Sequence, residues 1–138
     1  MSPAEDLMNE AQPAAQPVVL LVEDEVLIRL ATADHLRSCG FKVVEAGAAA
    51  EAQDLILSGL KVDLVLSDIT MPGGLDGVGL AQWLDQTEQG VPVILASGVP
   101  HALEAAKQSC PNVQAISAKP YDPDEIVAQI RAILAARA

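Results

Sequence analysis

Apolar residues come in short blocks along this chain, and the blocks change period from one to the next. VVLLV (18–22) is apolar throughout and bounded by Pro17 and the acids Glu23 and Asp24, which predicts a strand covered on both faces. Ile28, Ala31, Thr32, His35, Leu36 and Cys39 then recur at helical spacing, one face of a helix that Gly40 ends. His35 on that stripe reads as a packed, partly buried histidine. FKVVEA (41–46) predicts a second strand, AAAEAQDLIL (48–57) a second helix, and VDLVLS (62–67) a third strand running into Asp68. Asp76 caps a helix through about Gln86 whose inner stripe is Val78, Leu80, Ala81 and Leu84. Trp83 falls outside that stripe and is expected to be exposed. PVILA (92–96) is a fourth strand. His101 to Ser109 forms a short helix stopped by Pro111, and with Ala102, Ala105 and Ala106 as its main apolar groups it is expected to be the loosest. VQAIS (113–117) is the fifth strand. The last helix has Asp122 at N-cap, Pro123 at N1 and Glu125 at N3, with Ile126, Ile130, Ile133 and Leu134 facing inward.

Five strand-helix units with short connections predict an α/β fold, a doubly wound parallel sheet with helices on both faces. In such sheets ligands gather at the carboxyl ends of the strands. Residues 1–16, MSPAEDLMNEAQPAAQ, show no sustained period and read as a flexible acidic, Pro- and Ala-rich leader, with the folded domain over 17–138.

A chain of 138 residues suits one domain. Only 2% of it is aromatic, so the core must be built from Leu, Ile, Val and Ala. The formal charge of −11 would repel a nucleic-acid backbone, so no nucleic-acid partner is expected. Removing residues 1–16 takes away Glu5, Asp6 and Glu10 and no basic residue, so the rest stays acidic. No apolar run reaches membrane-span length and the start lacks a signal-peptide pattern, so no membrane partner and a cytoplasmic location are expected. Cys39 and Cys110 stand far apart and read as reduced, partly buried thiols.

Charge matters most at the strand ends. Glu23 and Asp24 follow the first strand, Asp68 the third, Ser97 the fourth and Lys119 the fifth. Taken singly, Asp68 reads as a cap or turn residue, Glu23 and Asp24 as a solvated first helical turn, and Ser97 and Lys119 as surface groups. Together they bring three carboxylates, a hydroxyl and an ammonium to one sheet edge. Three carboxylates repel one another unless a cation sits among them, and a hard divalent ion with oxygen ligands, best Mg²⁺, fits. Asp68 could then attack phosphorus, with the cation, Lys119 and Ser97 each meeting one phosphoryl oxygen.

These residues carry a resemblance from about Val18 to Leu134. "LLVEDE", "LVLSDITMPGGLDG", "VILASG" and "AISAKPY" resemble the motifs of response-regulator receiver domains of two-component signalling, a flavodoxin-like (βα)5 family with strand order 2-1-3-4-5. The resemblance implies that Asp68 is the phosphoacceptor, that Lys119 and Ser97 assist it, and that Glu23, Asp24, Asp68 and the Thr70 backbone carbonyl hold Mg²⁺. It also implies a cis Lys119–Pro120 bond. The implied partner is a histidine kinase or histidine phosphotransfer protein, with a further, unidentified protein as downstream target. Such a domain is no enzyme toward other substrates and catalyses only its own phosphorylation and dephosphorylation.

Three departures from the family pattern stand out. Met71-Pro72-Gly73-Gly74-Leu75 has one residue more than many members between "MP" and "DG", a pattern similar to receivers of hybrid kinases, which gives weight to a phosphorelay role. The position three before the lysine, often aromatic in the family, is Ile116. The chain ends at Ala138, so a receiver without an output domain is expected. Thr70 and Val99 flank the water path in the family, and apolar Val99 points to slow loss of the phosphoryl group. Two alternatives remain beside this: a scaffold of receiver fold that binds partners whatever its phosphorylation state, and an aspartyl-phosphate phosphatase. The phosphatase would need a second acid where Thr70 stands.

Overall fold

The computed structural model describes residues 16–87 and 90–137. Apart from Gln16, the leader expected over 1–16 lies outside the described residues. Ten elements alternate: β1 (Val18–Val22), α1 (Val26–Ser38), β2 (Lys42–Ala46), α2 (Ala49–Leu57), β3 (Leu64–Asp68), α3 (Gly77–Thr87), β4 (Val93–Ser97), α4 (Pro100–Ser109), β5 (Val113–Ala118) and α5 (Pro123–Arg137). The strands form one parallel sheet in the order β2-β1-β3-β4-β5, the expected doubly wound arrangement.

The uniform apolarity of the strands follows from their two packed faces. Along β1, Val19 and Leu21 join a core with Ala33 and Leu36 of α1 and Ile126, Val127 and Ile130 of α5. Leu20 and Val22 point the other way, into a core with Ala52 and Ile56 of α2, Leu80 and Leu84 of α3, and Leu103 of α4. Each Leu or Ile so buried contributes roughly 1.5–3 kcal/mol against its exposed state.

The helix ends follow their sequence signals. Asp76 Oδ1 accepts from Gly79 N at 2.8 Å, and Asp122 Oδ1 accepts from Asp124 N at 2.9 Å. Gly40, just past α1, has φ +98°, a conformation that favours glycine.

Three packing expectations are corrected. On α1 the buried positions are Thr32, Ala33 and Leu36, while Ala31 faces outward and Ile28 is only half-buried; His35 and Cys39 are half-buried, as expected of them. The helix is rotated toward Ala33 because its stripe must meet both the sheet and α5. Trp83 is half-buried against the core shared by α2, α3 and α4, since a ring of that size reaches inward from the flank of the stripe. α4 buries Leu103 as well as Ala106, and the buried thiol of Cys110 follows directly, so it has more to hold it than its alanines implied.

Candidate functional site

The carboxyl ends of β1, β3, β4 and β5 carry all five predicted residues at one edge of the sheet, with the Glu23, Asp24, Asp68 and Lys119 side chains gathered there. Asp68 closes β3 and Ser97 closes β4, in adjacent strands where Asp68 pairs with Ala96. Lys119 follows β5 and is placed by its own backbone, whose N–H donates to the Ser97 carbonyl at 2.9 Å. The Lys119–Pro120 bond is cis. Glu23 follows β1, and its N–H donates to the Ala46 carbonyl at 3.0 Å, which extends the β1-β2 ladder by one residue.

Their geometry is that of a charged knot at the edge of an apolar sheet. Lys119 Nζ donates to Glu23 Oε2 at 2.5 Å and to Asp68 Oδ2 at 3.1 Å. Glu23 Oε1 accepts from Glu25 N at 3.2 Å, so both oxygens of that carboxylate are engaged. Asp68 Oδ1 receives only a long 3.4 Å contact from Thr70 N and is the freer oxygen. Ser97 Oγ accepts from Val99 N at 3.1 Å, which leaves its own proton available to another acceptor. Glu23 is 2% exposed, Ser97 2% and Asp68 8%, so this is a largely desolvated group.

Burial is the main influence on Glu23 and lifts its pKa above the usual carboxylate value of 4.5; Lys119 and the Glu25 N–H work against that rise. On Lys119 burial acts to lower the pKa, but the bonds it donates to Glu23 and Asp68 outweigh it and the result lies above 10.5. The ammonium is therefore fully charged at neutral pH.

One ammonium does not balance three carboxylates. Ligand oxygens of Glu23, Asp24 and Asp68 lie within 4.8 Å of one another, a spacing that suits a single cation between them. Hard oxygen donors, more than one negative charge in excess and a mouth open at Asp24 fit Mg²⁺ chemically.

The family model for the response regulator receiver domain matches residues 19–131. The chain belongs to this family. The receiver is 33% identical over 121 residues to Protein PetR of Rhodobacter capsulatus, covering 88% of this chain and 50% of that protein. Sensor kinase CckA of Brucella abortus is 40% identical over 81 residues, 58% of this chain and 8% of the kinase. Among solved structures, the signal receiver domain of an HD domain-containing protein from Pseudomonas fluorescens Pf-5 matches with a TM-score of 0.80 and 27% identity, over 88% of this chain and 96% of that one. The chain spans half the length or less of the first two curated relatives it matches, 50% and 25%.

Several residues of this receiver's edge escaped the reading of sequence. Gly77 packs so tightly that a Cβ there would stand 2.2 Å from the Asp68 carbonyl oxygen. Its N–H also donates to the Ile69 carbonyl at 2.8 Å, so α3 begins against the backbone of Asp68 and Ile69. The "DG" after the glycine loop was its signal. Tyr121 hydrogen-bonds Thr32 at 3.0 Å across 89 residues, a pairing with no local signal. Arg29 reaches the Glu23 carbonyl from the first turn of α1. His35 is part-exposed, with Nε2 3.1 Å from Asp124 Oδ1 and 3.8 Å from Cys39 Sγ.

Proposed function

We propose that this receiver, spanning residues 17–138, takes a phosphoryl group from a phosphohistidine on a partner protein and carries it on Asp68. The observation that supports this most is the placement of Asp68: a carboxylate with one freer oxygen, 3.1 Å from an ammonium and within 4.8 Å of two further acids. Asp68 Oδ1 forms the new bond to phosphorus as the phosphorus-nitrogen bond of the donor breaks. The bonding pair returns to the imidazole nitrogen, and an acyl phosphate results. No base is needed, because the carboxylate attacks in its ionised form. Lys119 remains by Oδ2 and can follow the charge that moves outward onto the phosphoryl oxygens. Ser97, with its oxygen fixed by the Val99 N–H, turns its proton toward one of those oxygens. Glu23, Asp24, Asp68 and the Thr70 carbonyl are the groups that would hold Mg²⁺, which when bound supplies positive charge to another phosphoryl oxygen. The receiver turns over no substrate but itself.

The donor, a histidine kinase or histidine phosphotransfer protein, has to approach this edge closely. Val26, Leu27 and Leu30 on α1 are exposed apolar side chains beside it, suited to an approaching protein surface. The output is protein binding, through movement of Ser97 and the α4-β5-α5 face. No helix among the described residues is long and apolar enough to cross a membrane, and a cytoplasmic site of action suits this role.

A phosphorylation-independent scaffold draws support from Ile116, which packs half-buried against the α2-α3-α4 core where many relatives carry a ring that turns. Beryllofluoride with Mg²⁺ separates the two readings. Amide NMR shifts across residues 97–120 are expected on addition; a spectrum unchanged there supports the scaffold and contradicts the switch.

A further inference from the structure

The turn that presents the acids is held by a side chain outside their cluster. Arg29 Nη1 donates to the Glu23 carbonyl oxygen at 2.9 Å, and Arg29 Nε lies 3.4 Å from Glu45 Oε1 on β2. Glu45 is fixed in turn by Arg37 Nη2 at 3.2 Å, and the same nitrogen donates to the Val43 carbonyl at 3.0 Å. The Arg29 and Glu45 side chains are only 20% and 23% exposed, so this pairing is more than a solvated surface contact. A Cβ at Gly47 would come within 3.2 Å of Arg29 Nη1, so the guanidinium lies close over the chain that leaves β2. A planar fork can serve a carbonyl and a carboxylate at once, which an ammonium cannot do in the same geometry.

The oxygen that Arg29 holds belongs to the peptide unit joining Glu23 to Asp24. That unit is planar, so fixing its oxygen fixes the plane from which the Asp24 side chain departs. The Glu23 side chain has its own restraints in Glu25 N–H and Lys119. Among the described residues no hydrogen bond ties the Asp24 carboxylate to a neighbour, and its direction depends on the backbone beneath it.

We infer that Arg29 is a positioning residue for the cation site: by fixing the Glu23–Asp24 peptide it presets the Asp24 carboxylate toward Asp68. This rests on the reading of Glu23, Asp24 and Asp68 as cation ligands. It opposes simple electrostatics, since a positive charge beside the site would by itself weaken cation binding and its removal would strengthen it. The two views differ in sign.

The test is the Mg²⁺ dissociation constant by calorimetry, repeated with Mn²⁺ by electron spin resonance, for the wild type, Arg29→Met and Arg29→Lys. Loss of an outer group that orients a ligand typically weakens metal affinity about 10-fold or more, and that is expected for Arg29→Met. Arg29→Lys, which keeps the charge but not the fork, should fall between that variant and the wild type. A purely structural role would lower the unfolding temperature in EDTA and leave the affinity of the folded protein unchanged. Should Arg29→Met fail to fold, Arg29→Lys carries the test, and wild-type affinity in it overturns the inference. Equal or tighter binding by Arg29→Met overturns it too. A wild type that binds neither ion overturns the cation-site reading itself, and the inference with it.

Discussion

Replacing Lys119 by methionine keeps most of the stem's volume and deletes one ammonium. In the wild type that group bridges Glu23 at 2.5 Å and Asp68 at 3.1 Å, and both carboxylates are buried. Removing it leaves them, with Asp24 close by, without a counter-charge. Breaking a buried pair costs about 3–5 kcal/mol, and because the Lys119 side chain is 16% exposed we expect the lower end, about 3 kcal/mol. Against a typical total of roughly 5–15 kcal/mol the variant should still fold. With saturating MgCl₂ a divalent cation takes over the compensation, and a residual loss of about 1 kcal/mol is expected, the size of a partly solvated ion pair. The thermodynamic cycle then requires the variant to bind Mg²⁺ more tightly by about 2 kcal/mol, roughly 30-fold.

Urea unfolding followed by the fluorescence of Trp83, in EDTA and in MgCl₂, gives both stabilities, and calorimetry gives the affinity. Neutral pH is the right condition. The Lys119 pKa lies above 10.5 in the folded protein, so its contribution is fully present below 10.5 and is lost as pH rises through the folded value. Wild-type stability of Lys119→Met in EDTA, or a larger loss in MgCl₂ than in EDTA, would refute the reasoning.

Gly77→Ala should destabilise by about 3 kcal/mol, the upper end for overpacking, because the new Cβ meets the Asp68 carbonyl oxygen at 2.2 Å and backbone cannot rotate aside; an unchanged urea midpoint contradicts this. The chain has a single tyrosine, so absorbance at alkaline pH reads Tyr121 alone. Burial raises its pKa above 10.0, against the opposite pull of the Thr32 hydroxyl, and its midpoint in the folded protein should lie above that value. The unfolded chain ionises first, so this contribution to stability is present below 10.0 and lost as pH rises through the folded pKa; a midpoint at 10.0 in protein that is still folded counts against the burial.

The strands and the acids at their ends were legible because both are local. VVLLV can be apolar throughout only if both its faces are covered, and the first polar residue after each strand must lie at the sheet's edge. Helix rotation was harder to read. Ala31 and Ala33 are equally apolar, and only the contact with α5, from the far end of the chain, decides that Ala33 turns inward. Trp83 shows that a stripe drawn from Cα angles misjudges a side chain long enough to reach around it. Arg29 looked like any charged residue on a helix, since its partners are a carbonyl oxygen and a glutamate on another element. The Thr32–Tyr121 bond links positions whose meeting depends on the whole fold.

Intact-mass analysis after incubation with acetyl phosphate and MgCl₂ asks most directly whether Asp68 carries the phosphoryl group. A gain of one phosphoryl group in the wild type, absent in Asp68→Asn and in EDTA, is the expected result. No gain in the wild type, or an equal gain in Asp68→Asn, would contradict it.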